Sequence, residues 1–321
     1  MNSRRQVLLD WMEQGHIAPE NLQRALSVSG VYPSEQNWRR FLDHLFLWIG
    51  TLMLAAGVIC FFAFNWNDLD RLAKFGLVEA LIVGALFGVW RLGLEHIAGK
   101  ATLLAASLFV GVLLALIGQT YQTGADTFEL FAAWAALILP WVLAGRLAAL
   151  WLVWLALLNV ATIFYYRTFG GLFGLLFSPV QSLWVLFALN TFALMVWQMI
   201  ALREKRDQWA IRILATASGG LITALAVYFL VESGSSSGWA LLAWFAWLGI
   251  AYLVYRHMVP DVFVLAGGVL SVIVVATAGL AQSMLKSSET AGALLFIGLV
   301  VIGLSAAGGW WLKRVAGEAR S

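Results

Sequence analysis

The chain has 321 residues, of which 62% are hydrophobic and 12% charged. A water-soluble globule carries roughly a quarter of its residues charged, so this composition excludes one. The formal net charge of +3 comes from basic residues scattered along the chain, not from a patch interleaved with aromatics, so no nucleic-acid partner is expected.

Residues 1–42 are predicted to form a short cytosolic helical segment. Val7, Leu8, Trp11 and Met12 recur at helical spacing, and Gly15 stops that helix. Pro19 opens a second helix through Asn21–Val28, and Gly30–Pro33 breaks it. Ser34 is a candidate cap for a third, Glu35–Asp43, which runs into the first apolar stretch. So short a segment cannot build a convincing independent core, so a dock or regulatory cap is expected there. No cleavable signal peptide is expected, because the first apolar run is too long and too late.

Ten apolar stretches follow, at about 44–64, 72–94, 101–118, 128–145, 147–166, 181–201, 210–231, 238–255, 261–282 and 291–312. Each is close to the ~20 residues that cross a hydrocarbon core of roughly 30 Å as helix. The expected fold class is therefore all-α, a polytopic helical membrane protein with about ten transmembrane helices and lipid bilayer as its surroundings. The expected division is 1–42, helices one to five over 43–166, an outer interfacial segment 167–180, helices six to ten over 181–312, and a cytosolic tail 313–321. Arg146 leaves so short a turn that spans four and five are expected to form an antiparallel hairpin. Ser233–Gly238 reads as a flexible outer loop. Seventeen Trp residues suit a lipid-facing protein with aromatic belts.

The basic residues sort by connection. Alternate connections carry only Arg71, Lys74, Arg167 and Lys286, and the remaining sixteen of the twenty lie at the termini and in the other connections. By the positive-inside rule both termini are cytosolic. Five spans on either side of 167–180 would place the halves in opposite orientations, as in inverted-repeat transporters, although no residue-level similarity joins them. Gly219-Gly220 and Gly267-Gly268 are candidates for close packing or local unwinding.

Polar residues gather at the outer ends of the first four spans. The first outer connection reads Asn65-Trp66-Asn67-Asp68-Leu69-Asp70-Arg71, with Lys74 just beyond, and the second holds Gln119, Tyr121, Gln122, Asp126 and Glu129. Glu79 lies five residues past Lys74, and an ionisable group at that depth is costly unless it faces protein or water. Gly76, Ala80, Gly84 and Gly88 form a small-residue stripe beside it, so Glu79 is expected to point into the bundle. It is read either as a ligand-binding carboxylate or as a group hydrogen-bonded between helices. Asp126 and Glu129 also fit an N-terminal capping box. Asn65 and Trp66 also fit an interfacial anchor with turn-forming asparagines. Asn159, Asn190, Gln198 and Gln282 read as interhelical glue.

The histidines His16, His44, His96 and His257 all fall on the cytosolic side without an i, i+4 pair, so no metal site is assigned. Cys60 is the single cysteine; it is expected to be a small buried apolar residue and allows no disulfide framework. No nucleophile, base and acid can be assembled on one membrane face, so the reading leans away from an enzyme, and neither catalytic residue nor cofactor is assigned.

Asn65-Trp66 with Lys74, then Gly118-Gln119-x-Tyr121-Gln122-x-Gly124-Ala125-Asp126, with Leu130-Phe131, Trp134 and Leu139-Pro140-Trp141 downstream, resembles a bacterial group of polytopic membrane proteins. That group is catalogued as domain of unknown function 2157. The resemblance covers about residues 5–145 and includes Gly15-His16-Ile17 in the N-terminal segment. It implies a multi-pass fold in a bacterial inner membrane and brings no established reaction.

Two functions are therefore expected as alternatives. The first is binding or transport of a small polar or lipid-like ligand through the outer cluster of Glu79, Gln119, Tyr121, Gln122, Asp126, Lys74, Asn65 and Trp66. The second is a non-transporting scaffold or envelope sensor that docks a cytosolic protein through residues 1–42.

Overall fold

A computed structural model describes residues 4–30, 35–64, 69–122, 124–170, 178–204, 208–232, 238–284 and 290–318. Among them no strand occurs, and ten helices are long and apolar enough to cross a membrane. The all-α, ten-span expectation holds. The chain divides into two compact units, Asn2–Thr168 and Phe169–Ser321, and each supplies five of those helices.

The N-terminal unit begins with a small hairpin. Helix α1 (Arg4–Glu13) ends before Gly15, whose φ of 76° needs the freedom of glycine. A 3₁₀ turn, Pro19–Asn21, then leads into α2 (Leu22–Val28), which buries Leu26. Helix α3 (Glu35–Phe64) runs without a break from its polar first turns into the apolar stretch. Next come α4 (Arg71–Leu92), α5 (Ile97–Tyr121), α6 (Thr127–Gly145) and α7 (Ala148–Phe169).

Helix α5 is the centre of this unit. It carries no charge after Lys100 and is rich in small residues on every side, which is the pattern of a buried helix. It packs against α3, α4 and α6. The α4–α5 turn is tight: Gly93 ends α4 at φ 73°, and a Cβ on Gly99 would overlap the Gly93 carbonyl. Those glycines, which look at first glance like part of a phosphate loop, serve that close approach. Helices α6 and α7 form the antiparallel hairpin that the Arg146 turn demands, joined through large side chains. Phe128 meets Tyr165 edge-on at 5.1 Å, Phe131 stacks on Phe164 at 5.6 Å, and Trp154 Nε1 donates to the Ala135 carbonyl at 3.0 Å.

The C-terminal unit comprises α8 (Pro179–Glu204), α9 (Gln208–Val231), α10 (Trp239–Leu253) with a π turn at Val254–Met258, α11 (Val262–Met284) and α12 (Thr290–Glu318). Here α9 is central, against α8, α10 and α11. The central helix is thus the third long helix of one unit and the second of the other. The two units do not repeat one packing order.

Between membrane helices there is no hydrophobic driving force, so small residues and hydrogen bonds carry the association. Two hydroxyl–indole sets do this around α9. Ser218 Oγ accepts from Trp247 Nε1 at 2.9 Å and pairs with Thr191 Oγ1 at 2.6 Å. Ser271 Oγ accepts from Trp244 Nε1 at 2.8 Å and pairs with Thr223 Oγ1 at 2.6 Å. Each indole N–H, a donor with no water to turn to, is satisfied by a serine on a neighbouring helix.

Several expectations are refined or overturned. The helices continue unbroken through Gly219-Gly220 and Gly267-Gly268. Of those four, Gly219 makes the closest contact, a built Cβ lying 2.7 Å from Trp247 Cη2. Gln198 and Gln282 do bridge helices: Gln198 Oε1 accepts from Tyr255 at 3.2 Å, and Gln282 donates to the Val231 carbonyl at 2.9 Å. Asn159 and Asn190 each donate to a carbonyl one turn back in their own helix. Cys60 is exposed, not buried, because α3 presents most of its surface outward. Residues 171–177 and 233–237, read as an interfacial stretch and a loop, lie outside the described residues, as does the Ser34 cap.

Candidate functional site

The N-terminus of α4 and the C-terminus of α5 meet at one end of the N-terminal unit. Asp70 stands extended at the α4 N-cap position, and its carbonyl accepts from Lys74 N at 3.0 Å. Arg71 and Phe75, one turn apart on α4, both reach Tyr121 of α5. The Arg71 Cζ lies 5.3 Å from the Tyr121 ring centroid, and the Phe75 ring lies 6.0 Å away. Between them Lys74 is only 9% exposed. Beneath, Val78 of α4 packs with Val112 and Leu116 of α5, flanked by Leu69 and Phe75.

Helix α5 ends irregularly here. Gln122 caps it in the left-handed region at φ 44°, where Gly or Asn is usual, and Gly124 follows at φ 65°. Gln119, Tyr121 and Gln122 are all exposed. Thr120 is partly buried, and its Oγ1 is shut off from solvent with no hydrogen-bond partner.

The neighbouring hairpin completes this end. Asp126 takes the N-cap position of α6 with extended backbone, but its side chain makes no capping bond. The bond that forms runs from Glu129 N to the Asp126 carbonyl, 3.0 Å, so the expected reciprocal capping box is not made. Both carboxylates are exposed. Arg167, near the end of α7, lies with its Cζ 5.9 Å from the Phe164 ring, which stacks on Phe131. Among the described residues neither Arg71 nor Arg167 joins an ion pair; each guanidinium rests over an aromatic ring instead.

The α4 residues that meet Tyr121 are therefore Arg71 and Phe75, with Lys74 buried on the same first turns of α4 and Gln119 and Gln122 exposed at the end of α5. Glu79 is not part of this group. It is exposed on the outer side of α4, in the company of Gly76 and Ala80, and the stripe through Gly76 and Gly84 touches nothing. The physical reason is that α4 meets α5 through the row of Lys74, Val78 and Ile82, which leaves the small-residue row facing outward. Only Gly88, farther along, is in contact, its built Cβ 3.2 Å from Thr102 Cγ2. Asn65 and Trp66 lie outside the described residues. Arg71, Phe75 and Thr120 are additions that sequence reasoning missed. The i, i+4 spacing of Arg71 and Phe75 was the available signal, since it places both on one side of α4.

The fold thus defines a class: an all-helical, multi-pass membrane protein with a polar end on its N-terminal unit. Residues 9–151, which contain this end, match the family model described as Predicted membrane protein (DUF2157). The resemblance seen at residues 5–145 is borne out over that stretch. No curated protein and no solved structure matches the chain.

Proposed function

We propose that this protein binds, and as a transporter moves, a small polar or lipid-like ligand at the end of its N-terminal unit formed by Lys74, Gln119, Tyr121 and Gln122, with Arg71 and Thr120 added. The observation that carries the reading is Tyr121 in contact with Arg71 and Phe75 of the helix end that also buries Lys74. A buried ionisable side chain on a membrane span, here Lys74, is by default a candidate for function. Asn65, Trp66 and Asp126 belong to the adjoining connections and are candidates for the rim. By the charge alternation this end faces the outside of a bacterial inner membrane, with both termini cytosolic. The test is purified protein challenged with metabolite and lipid panels. Thermal stabilisation by at least one ligand, lost in Tyr121→Ala, is expected; no stabilisation by any would refute the reading.

A second reading rests on the hairpin of α1 and α2. Trp11 is half exposed and Val28 is 83% exposed, while Leu26 is the residue this hairpin buries. Such a surface suits docking of a cytosolic protein partner, in a scaffold or envelope sensor. Deleting residues 1–42 is then expected to abolish function while the spans stay folded. An unchanged phenotype would exclude this version.

A further inference from the structure

We infer that the polar end of the N-terminal unit takes an anion, a phosphate or carboxylate group, with Arg71, Lys74, Thr120 and Tyr121 as its donors. The inference rests on the binding reading above and names the chemistry of its ligand.

Four donor side chains lie on the first turn of α4 and the last turn of α5, while the exposed carboxylates of Asp126 and Glu129 belong to the start of α6. The Arg71 guanidinium and Lys74 ammonium offer donors and no acceptor, and the Tyr121 phenol and Thr120 hydroxyl each offer one more. No carboxylate is paired with Arg71 among the described residues, although Asp70 is its neighbour in sequence. Its guanidinium is held by the Tyr121 face, which leaves the edge of the fork open to an anion. Glu79, the carboxylate nearest in sequence inside the span, faces away.

Thr120 points the same way. Hydroxyls within these helices regularly close onto the carbonyl four residues back. Thr51, Ser107, Thr162, Thr216 and Thr277 all do so, at 2.6 to 2.9 Å. Thr120 does not, and its Oγ1 is shut off from solvent with no partner at all. A buried hydroxyl left so is destabilising unless another group completes it. An anion oxygen received at the turn of Thr120 and Tyr121 would be that group.

The same chemistry has two sources, an anionic lipid headgroup or a free anion, since a span end lies at headgroup level. Full-length protein in phosphatidylcholine nanodiscs is compared with nanodiscs containing phosphatidylglycerol, and with phosphatidylcholine nanodiscs given inorganic phosphate. Unfolding is followed by tryptophan fluorescence, and bound lipid by native mass spectrometry. Stabilisation by phosphatidylglycerol alone identifies a headgroup; stabilisation by phosphate alone identifies a free anion. Either supports the inference if Arg71→Gln and Thr120→Val each weaken it, Arg71→Gln by about tenfold or more in affinity. Arg71 is exposed, so its variant remains interpretable if Lys74→Gln fails to fold. An anion effect equal in wild type and variants is adsorption elsewhere and overturns the inference. Specific binding of a neutral or cationic ligand that Tyr121→Ala removes overturns the anion and leaves the binding reading standing. No binding of any class overturns both.

Discussion

The indole of Trp134 occupies the space that a side chain on Gly111 would need, and its Nε1 donates to the Ser107 carbonyl at 2.7 Å. Gly111 therefore sets how closely α6 approaches α5. Gly111→Ala is expected to destabilise the protein by about 1–3 kcal/mol through overpacking. Gly118→Ala, on the same helix with nothing within 4 Å, is the control, expected to stay within about 0.5 kcal/mol. Equal unfolding midpoints for the two variants would contradict this packing.

The C-terminal unit depends on its hydroxyl–indole bonds. Ser271→Ala strips the buried Trp244 of its acceptor and removes the interhelical bond of Thr223, which keeps its bond to the Gly219 carbonyl. A loss of about 1–2 kcal/mol is expected, near the upper end for hydrogen bonds between membrane helices. Ser283→Ala, which removes an exposed hydroxyl bonded within its own turn, is expected to cost much less. The comparison needs chemical or thermal unfolding of both variants in the same detergent.

Apolar length is a one-dimensional property, which is why ten spans and the Arg146 hairpin were legible in the residues alone. The face of α4 was not. Gly76, Ala80 and Gly84 make one helical row, and Lys74, Val78 and Ile82 another, and in lipid neither row is favoured by hydrophobicity alone. Packing selects the second because α5 offers Val112 and Leu116 to it. Density of polar residues located the end with Lys74, Gln119 and Tyr121. The place of Arg71 over Tyr121 was not legible, because it depends on the antiparallel register that the Gly93–Gly99 turn imposes. The hydroxyl–indole sets were missed for a related reason: Ser218, Thr191 and Trp247 come from three helices.

Two helix starts separate position from bonding. Ser178 and Gln181 form a reciprocal capping box at α8, with Ser178 N donating to Gln181 Oε1 at 3.0 Å and Gln181 N to Ser178 Oγ at 3.2 Å. Ser178→Ala is expected to cost about 1 kcal/mol. Asp126 holds the equivalent position at α6 but forms no such bond, so Asp126→Ala is expected to stay within about 0.5 kcal/mol. Equal losses would show that Asp126 caps α6 after all.

The orientation proposed from charge is open to a direct check. A fluorescent protein that folds only in the cytosol, fused after Ser321, is expected to be bright, and an alkaline phosphatase fused there inactive. The opposite pattern would turn the Lys74 end toward the cytosol. The anion chemistry argued for that end would then have to be met by a cytosolic ligand.

Glu79 and Tyr121 give the sharpest contrast within the polar end. They lie on helices packed together, yet Glu79 is exposed beside Gly76 and Ala80, while Tyr121 meets Arg71 and Phe75. If the ligand sits at the junction of α4 and α5, Glu79→Gln leaves ligand-dependent stabilisation at the wild-type level. Tyr121→Ala removes both the platform for Arg71 and the phenol, and is expected to weaken binding by about tenfold, the scale of one cation–π contact together with one hydrogen bond. Tyr121→Phe keeps the platform and is expected to fall between the two. A binding loss in Glu79→Gln as large as in Tyr121→Ala would move the site onto the outward face of α4. The small-residue row beside Glu79 would then be the surface to map next.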